Sequence, residues 1–232
     1  MFCKTVSGLG SDLLELLYPV CCLVCGDRLP DKRYLCSYCL NYAFEPADSG
    51  NYESSPGLVL PDRITMQMAL WEFDKGGYLQ DVLHHLKYSG LAELGLALGR
   101  ELGYAVQNNR WMDVGDQTVL LPVPLHASRQ RKRGYNQSAL IASGIAAVTG
   151  AEPVDDKVLV RVKNTRTQTG LPAGVRRENI SGAFQMNRSE PFAGRDVLIV
   201  DDVITTGATV MELSSLIENI AGRVGIATIA RA

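Results

Sequence analysis

The chain has 232 residues, 46% of them hydrophobic and only 7% aromatic, with a formal net charge of -2. That length holds one ordinary α/β domain and a small extra module, and the near-neutral balance argues against a generally basic nucleic-acid-coating protein. The charge is unevenly placed, however: residues 126–188 carry eleven Lys or Arg against four Asp or Glu, a local +7 that expects an anion.

No stretch approaches the ~20 apolar residues of a membrane span. The apolar run Leu13, Leu14, Leu16 and Leu17 is too short for a signal peptide and is broken by Glu15. A soluble, cytoplasmic protein without membrane insertion is expected. Leu9, Leu13, Leu16 and Leu17 recur at helical spacing, which predicts a short amphipathic helix that Pro19 ends.

Next come Cys22-Leu-Val-Cys25 and Cys36-Ser-Tyr-Cys39, two CxxC pairs ten residues apart. Four thiolates close a tetrahedral zinc site with no vacancy for water or substrate, so the metal is expected to be structural. It would fold a module too small to bury enough apolar surface alone. A redox dithiol is the competing reading, but it does not need two matched pairs. Cys21 could replace Cys22 as ligand, although the two-residue gap to Cys25 favours Cys22. No cysteine follows Cys39, unlike a disulfide framework spread through a secreted domain. Residues 45–62 are rich in Pro, Ser, Gly and acids. They divide the chain into an N-terminal module (1–47), a linker (48–62) and a main domain (63–232).

In the main domain, Met66–Phe73 predicts a first strand, Tyr78–Tyr88 a helix with Leu79, Val82, Leu83 and Leu86 on one face, and Leu91–Val106 a second helix. Lys87, just before the Ser89-Gly90 break, is a cation at a helix end that could reach a phosphate or simply stand in solvent. Val119–Val123 reads as a buried strand, followed by Arg129, Arg131, Lys132 and Arg133. A basic cluster at the C-terminal end of a parallel strand faces the ligand crevice of an α/β sheet. Arginine forks donate two hydrogen bonds to one phosphate, which makes this a candidate pyrophosphate site; a solvated charge run is the alternative. Gly134 and Asn136 point to a shaped loop there, not a plain surface helix.

Ser138–Val148 predicts a helix and residues 157–162 a third strand. The polar stretch after it contains Gly170, Pro172 and Gly174, and loops of such length are usually functional. Arg166, Thr167, Gln168, Arg176, Arg177 and Asn179 could close over a bound pyrophosphate group; the alternative is a surface insertion. Val224–Ile229 predicts the last strand.

The most informative stretch is Asp196–Val210. Val197, Leu198, Ile199 and Val200 form the unbroken apolar, mostly β-branched run of a strand buried on both faces. Asp201 and Asp202 follow, then Thr205, Thr206, Gly207, Ala208 and Thr209 lead into a helical pattern. Small residues at a helix N-terminus let backbone N–H groups converge on a phosphate monoester, with Gly207 free to take a positive φ. Two carboxylates one turn upstream can accept hydrogen bonds from vicinal sugar hydroxyls. Together they describe a ribose 5-phosphate; an ordinary strand-turn-helix with an acidic N-cap is the bland alternative.

These thirteen residues, Val197–Thr209, resemble the phosphoribosyl pyrophosphate (PRPP) signature of type I phosphoribosyltransferases. With the zinc knuckles, LKYSG, LLPVPLHASRQRKRGYNQ, RTQTGL, RREN and GAF in this order, nearly the whole chain resembles the competence protein F family (ComF, ComFC and the GntX-like group). From Val119 onward it is also similar to the phosphoribosyltransferase half of glutamine amidophosphoribosyltransferases; Cys3 sits in no glutaminase context. The resemblance implies a four-cysteine zinc module ahead of a type I phosphoribosyltransferase fold, a mostly parallel sheet flanked by helices. Asp201 and Asp202 would hold the ribose hydroxyls, Thr205–Thr209 the 5-phosphate and Arg129–Arg133 the pyrophosphate, with Lys87, Arg166 and Arg176 assisting and Mg²⁺ bridging pyrophosphate and ribose. It also implies natural transformation, with single-stranded DNA and DNA-uptake or recombination proteins as partners. If only binding has been kept, Tyr38, Tyr42 and Tyr135 are stacking candidates for single-stranded DNA.

Overall fold

The computed structural model describes residues 19–47, 64–108, 112–164 and 180–232. In chain order the described strands are β1 (Ile64–Glu72), β2 (Thr118–Pro122), β3 (Glu152–Pro153), β4 (Leu159–Arg161), β5 (Phe184–Met186), β6 (Asp196–Ile204) and β7 (Val224–Arg231). The described helices are α1 (Ser37–Tyr42), α2 (Tyr78–Tyr88), α3 (Ala92–Gln107), α4 (Ala127–Arg133), α5 (Gln137–Thr149) and α6 (Ala208–Ile217). The helix expected before Pro19 and the linker 48–62 lie outside the described residues.

Five strands form one sheet in the order β1-β7-β6-β2-β3, parallel at every pairing. A parallel sheet must be covered on both faces, and β6 shows how. Leu198 and Val200 enter a core with residues of α2, α3 and α5, whereas Val197 and Ile199 enter another with α6 and the β4–β5 ribbon. All four are 0% exposed, so no position in this run was left for a polar side chain.

The chain leaves β2 outward through α5 to β3, and leaves β6 in the other direction through α6 to β7. The strand order therefore reverses between β2 and β6. A crevice opens at the C-terminal ends of two such strands, and the loops carrying the basic cluster and the acid-threonine stretch both emerge there.

Residues 157–162 do not supply a strand of this sheet. Leu159–Arg161 pairs antiparallel with Phe184–Met186 in a separate two-stranded ribbon. The edge beside β2 is already occupied by Glu152–Pro153, and a proline, which has no N–H to donate, is suited to an edge.

The N-terminal segment is not a detached bead. The Glu72 N–H donates to Glu45 O at 2.9 Å and the Ala47 N–H to Leu70 O at 3.0 Å, so residues 45–47 lie antiparallel on β1. Phe44 packs on Trp71 with ring centroids 4.8 Å apart, and Cys22, Leu35, Cys39 and Phe44 share a hydrophobic cluster with Met66, Met68 and Trp71.

Helices α3 and α5 meet backbone to backbone through glycines. A Cβ on Gly99 would stand 2.2 Å from Ile141 O, and one on Gly144 would stand 2.4 Å from Leu96 O. Neither carbonyl can retreat without moving its helix. Gly99→Val is therefore expected to destabilise the fold by about 2 kcal/mol, the range of an overpacked core. That exceeds the roughly 1 kcal/mol or less gained by replacing a helical glycine, and urea unfolding measures the net.

Candidate functional site

Strand β6 runs past the two acids to Ile204, so Asp201 and Asp202 sit on its last part, with Asp201 in register with the buried Thr228 of β7. Asp201 Oδ1 accepts from Ser138 Oγ of α5 at 2.8 Å and from the Asp202 N–H at 2.9 Å. Asp202 is only 5% exposed, and its Oδ2 forms an ion pair with Lys87 Nζ at the end of α2. Burial and the neighbouring Asp202 charge push the Asp201 carboxyl up to about 7, against the bonds from Ser138 and the backbone. Burial also opposes ionisation of Asp202, but Lys87 outweighs it and holds that carboxyl below its ordinary value. Lys87 is likewise raised by Asp202 in spite of its burial.

Beyond Ile204 the chain bends through Thr205–Gly207, where Gly207 takes φ 71° and α6 begins at Ala208. This is the left-handed conformation that glycine adopts without a Cβ penalty. The Thr206 hydroxyl is buried with no hydrogen-bond partner among the described residues. A buried hydroxyl left unsatisfied costs about 1–3 kcal/mol, which an acceptor oxygen brought by a ligand would remove. With the first N–H groups of α6 beside it, this turn fits a phosphate monoester.

The basic run after β2 is a short helix, not the shaped loop expected. His126 caps α4 through Nδ1, which accepts from the Ser128 N–H at 3.3 Å, and Gly134 closes it with φ 89°. Residues four apart share a helix face, those two apart do not. Arg129 and Arg133 are accordingly partly buried, whereas Arg131 and Lys132 are exposed. Arg133 donates to Gln137 Oε1, and its guanidinium lies 5.4 Å from the centroid of the Tyr88 ring. Tyr135 donates its hydroxyl to Leu86 O at 2.5 Å, and Asn136 caps α5 while its Nδ2 donates to Val123 O at 3.0 Å. These contacts fasten the end of α2, and Lys87 with it, to the loop after β2.

Lys87, Arg129, Arg133, Asp201, Asp202 and Thr205–Thr209 thus come together at the ends of β2 and β6. Arg131 is exposed, and Arg166 and Arg176, with Thr167, Gln168, Arg177 and Asn179, lie outside the described residues. Sequence reasoning missed Ser138, whose signal was a lone hydroxyl at the start of an alanine-rich helix. Tyr135 is partly buried and committed to Leu86, whereas Tyr38 and Tyr42 are 71% and 74% exposed with ring centroids 5.0 Å apart.

Away from this crevice, Cys22, Cys25, Cys36 and Cys39 bring their sulfurs within 4.8 Å of one another. A tetrahedron with Zn–S of about 2.3 Å has edges of about 3.8 Å, and the Cys25–Cys36 sulfurs stand at 3.8 Å. Burial opposes ionisation of Cys22, but N–H groups of Cys25, Cys36 and Val24 lower its thiol to about 6. Burial and the neighbouring thiols raise Cys39. A dication among them would favour the thiolate form of all four, so the set could hold a metal such as zinc. Cys21 is exposed, lies outside the cluster and directs its thiol to Pro19 O, so Cys22 is the member that joins.

A family model described as "Phosphoribosyl transferase domain" matches residues 132–232. The "DNA utilization protein YhgH" of Salmonella typhimurium is 32% identical over 200 residues, 84% of this chain and 83% of that protein. Its Escherichia coli K12 counterpart is 31% identical over 199 residues, with the same coverage. The "Competence protein F" of Haemophilus influenzae is 35% identical over 144 residues, 61% of this chain and 62% of that protein.

The raised Asp201 carboxyl has a sign that can be checked. Its folded pKa of about 7 lies above the ordinary carboxylate value near 4, so the folded state keeps a proton that the unfolded chain loses. The resulting cost is absent below pH ~4, grows up to pH ~7 and is complete above it. Asp201→Asn should therefore raise Tm at pH 8 and match the parent near pH 4, as thermal unfolding across that range would record.

Proposed function

Because this chain belongs to the competence protein F family and its residues 132–232 match a phosphoribosyl transferase domain, we propose that the crevice binds PRPP, or a related phosphorylated ribose, with Mg²⁺. One observation carries this reading. The carboxylate pair of β6 is followed, on the same stretch of chain, by a left-handed glycine and a buried hydroxyl without a partner among the described residues. Sugar hydroxyls and a phosphate monoester on one small molecule would satisfy both.

In this reading Asp201 and Asp202 accept from the ribose hydroxyls, and Thr205–Thr209 donates to the 5-phosphate. Lys87, which holds Asp202 in the ligand-free protein, exchanges that carboxylate for a phosphate oxygen as the ribose enters. Arg129 and Arg133 stand where pyrophosphate would depart, and stabilising its growing charge lowers the barrier for breaking the C1–O bond. The oxocarbenium character left on C1 is then captured by a nucleophile, without an obligatory protein base. Mg²⁺ would supply charge neutralisation on the pyrophosphate. The acids and ligand oxygens here are the hard donors it prefers. The four thiols suit a structural zinc, and its module shares a core with β1.

Cytoplasmic action on incoming DNA in natural transformation, alongside uptake or recombination proteins, is part of the proposal, and the relatives' names, which speak of competence and of DNA utilization, support it. Among the described residues no helix is long and apolar enough to cross a membrane. The exposed Tyr38–Tyr42 pair favours a second reading, in which the protein binds single-stranded DNA and need not turn PRPP over.

Isothermal titration separates the two. Wild-type protein should take up one PRPP, tightened by Mg²⁺, and Asp201→Ala/Asp202→Ala should weaken that by about tenfold or more. Equal weak binding by both proteins removes the PRPP reading. Binding of a single-stranded oligonucleotide that falls steeply with salt, and that Tyr38→Ala/Tyr42→Ala weakens, would favour the second.

A further inference from the structure

Arg161 ends β4 and belongs to none of the features assigned so far. Its backbone bridges that of His126 in parallel, so it stands beside the turn from which α4 starts. Its guanidinium lies over the ring of Phe184, 5.4 Å from the centroid, and the ribbon register pairs the same two residues. A guanidinium over an aromatic face is attracted to the ring's negative quadrupole. An arginine held in this way has its fork oriented before any ligand arrives, which lowers the ordering cost of binding.

The charges around it point to what that fork is for. Burial and the like charge of Arg129 disfavour the Arg161 cation, and Asp201 only partly offsets them, so its pKa lies below the ordinary guanidinium value. Asp201 is itself inclined to keep a proton. Lys87 and Arg133 act on Asp202, while Arg129 and Arg161 act on each other and Asp201 acts on Arg161. A multiply charged anion between the second pair would relieve their repulsion and offer each guanidinium two oxygens.

Resting on the phosphoribosyl reading of the crevice, we propose that Arg161 is a binding residue of the same site, acting with Arg129 to take the pyrophosphate end of the ligand. The 5-phosphate is excluded as its target because the Thr205–Thr209 turn is already suited to a monoester. Arg161 also stands at the foot of the polar loop. The Val162 N–H donates to Ala183 O at 2.8 Å, which ties the two strands of the ribbon together one residue beyond it.

The test is calorimetric titration of full-length wild type, Arg161→Met and Arg161→Lys with two separate ligands, magnesium pyrophosphate and ribose 5-phosphate. Arg161→Met should lose about tenfold or more in pyrophosphate affinity and stay within about twofold for ribose 5-phosphate, with Arg161→Lys in between. Unchanged pyrophosphate binding by Arg161→Met overturns the assignment and leaves the phosphoribosyl reading standing. Equal losses for both ligands also overturn it, because they mark a merely structural role. Wild type that binds neither ligand overturns both readings. Should Arg161→Met fail to fold by circular dichroism, Arg161→Lys decides: a loss confined to pyrophosphate supports the assignment, and no loss refutes it.

Discussion

Two carboxylates on adjacent residues, at the end of a strand buried among other strands, cannot both ionise there without compensation. Lys87 supplies it for Asp202 and Ser138 partly supplies it for Asp201, so Asp201 gives up its proton less readily than Asp202. Everything nearby serves to keep Lys87 in reach. Tyr135 bonds the end of α2, Arg133 covers Tyr88, and Asn136 fixes the loop that carries both. The arrangement is expensive for a protein that needed only to fold, since apolar residues of similar volume would be as stable or more so. A ligand rich in hydroxyl and phosphate oxygens gives those charges something to do.

The rest of the architecture brings this constellation to one place. Reversal of strand order between β2 and β6 puts the loops of both at a common crevice. Close glycine contacts between α3 and α5 let the helix carrying Ser138 and Asn136 lie tightly against its neighbour. The cysteine segment extends the same core through Phe44, Trp71 and the pairing of residues 45–47 with β1. A metal held by those thiols would thus stabilise the outer edge of the sheet as well as its own knuckles.

Much of this could be read from the residues themselves. The stretch Asp196–Val210 was legible because a strand buried on both faces leaves an unbroken apolar run, and because a left-handed turn before a helix favours glycine. The cysteine pairs were legible because metal geometry constrains spacing. The basic run was read as a loop because Gly134 and Asn136 are residues that punctuate structure. They do so here as the end of one short helix and the cap of the next. That Leu159–Arg161 would leave the sheet could not be read locally, since it depends on Glu152–Pro153 already occupying the edge. Ser138 and Arg161 are single polar residues outside any periodic pattern, and only packing reveals what they face.

The central claim is that the acid pair and the threonine-glycine turn form one grip for a phosphorylated sugar. A crystal structure with ribose 5-phosphate tests it most directly. The account predicts phosphate oxygens on the N–H groups of residues 206–209 and on the Thr206 hydroxyl, ribose hydroxyls on Asp201 and Asp202, and Lys87 turned away from Asp202. A sugar phosphate bound elsewhere, with the Lys87–Asp202 pair intact and Thr206 still without a partner, would contradict it.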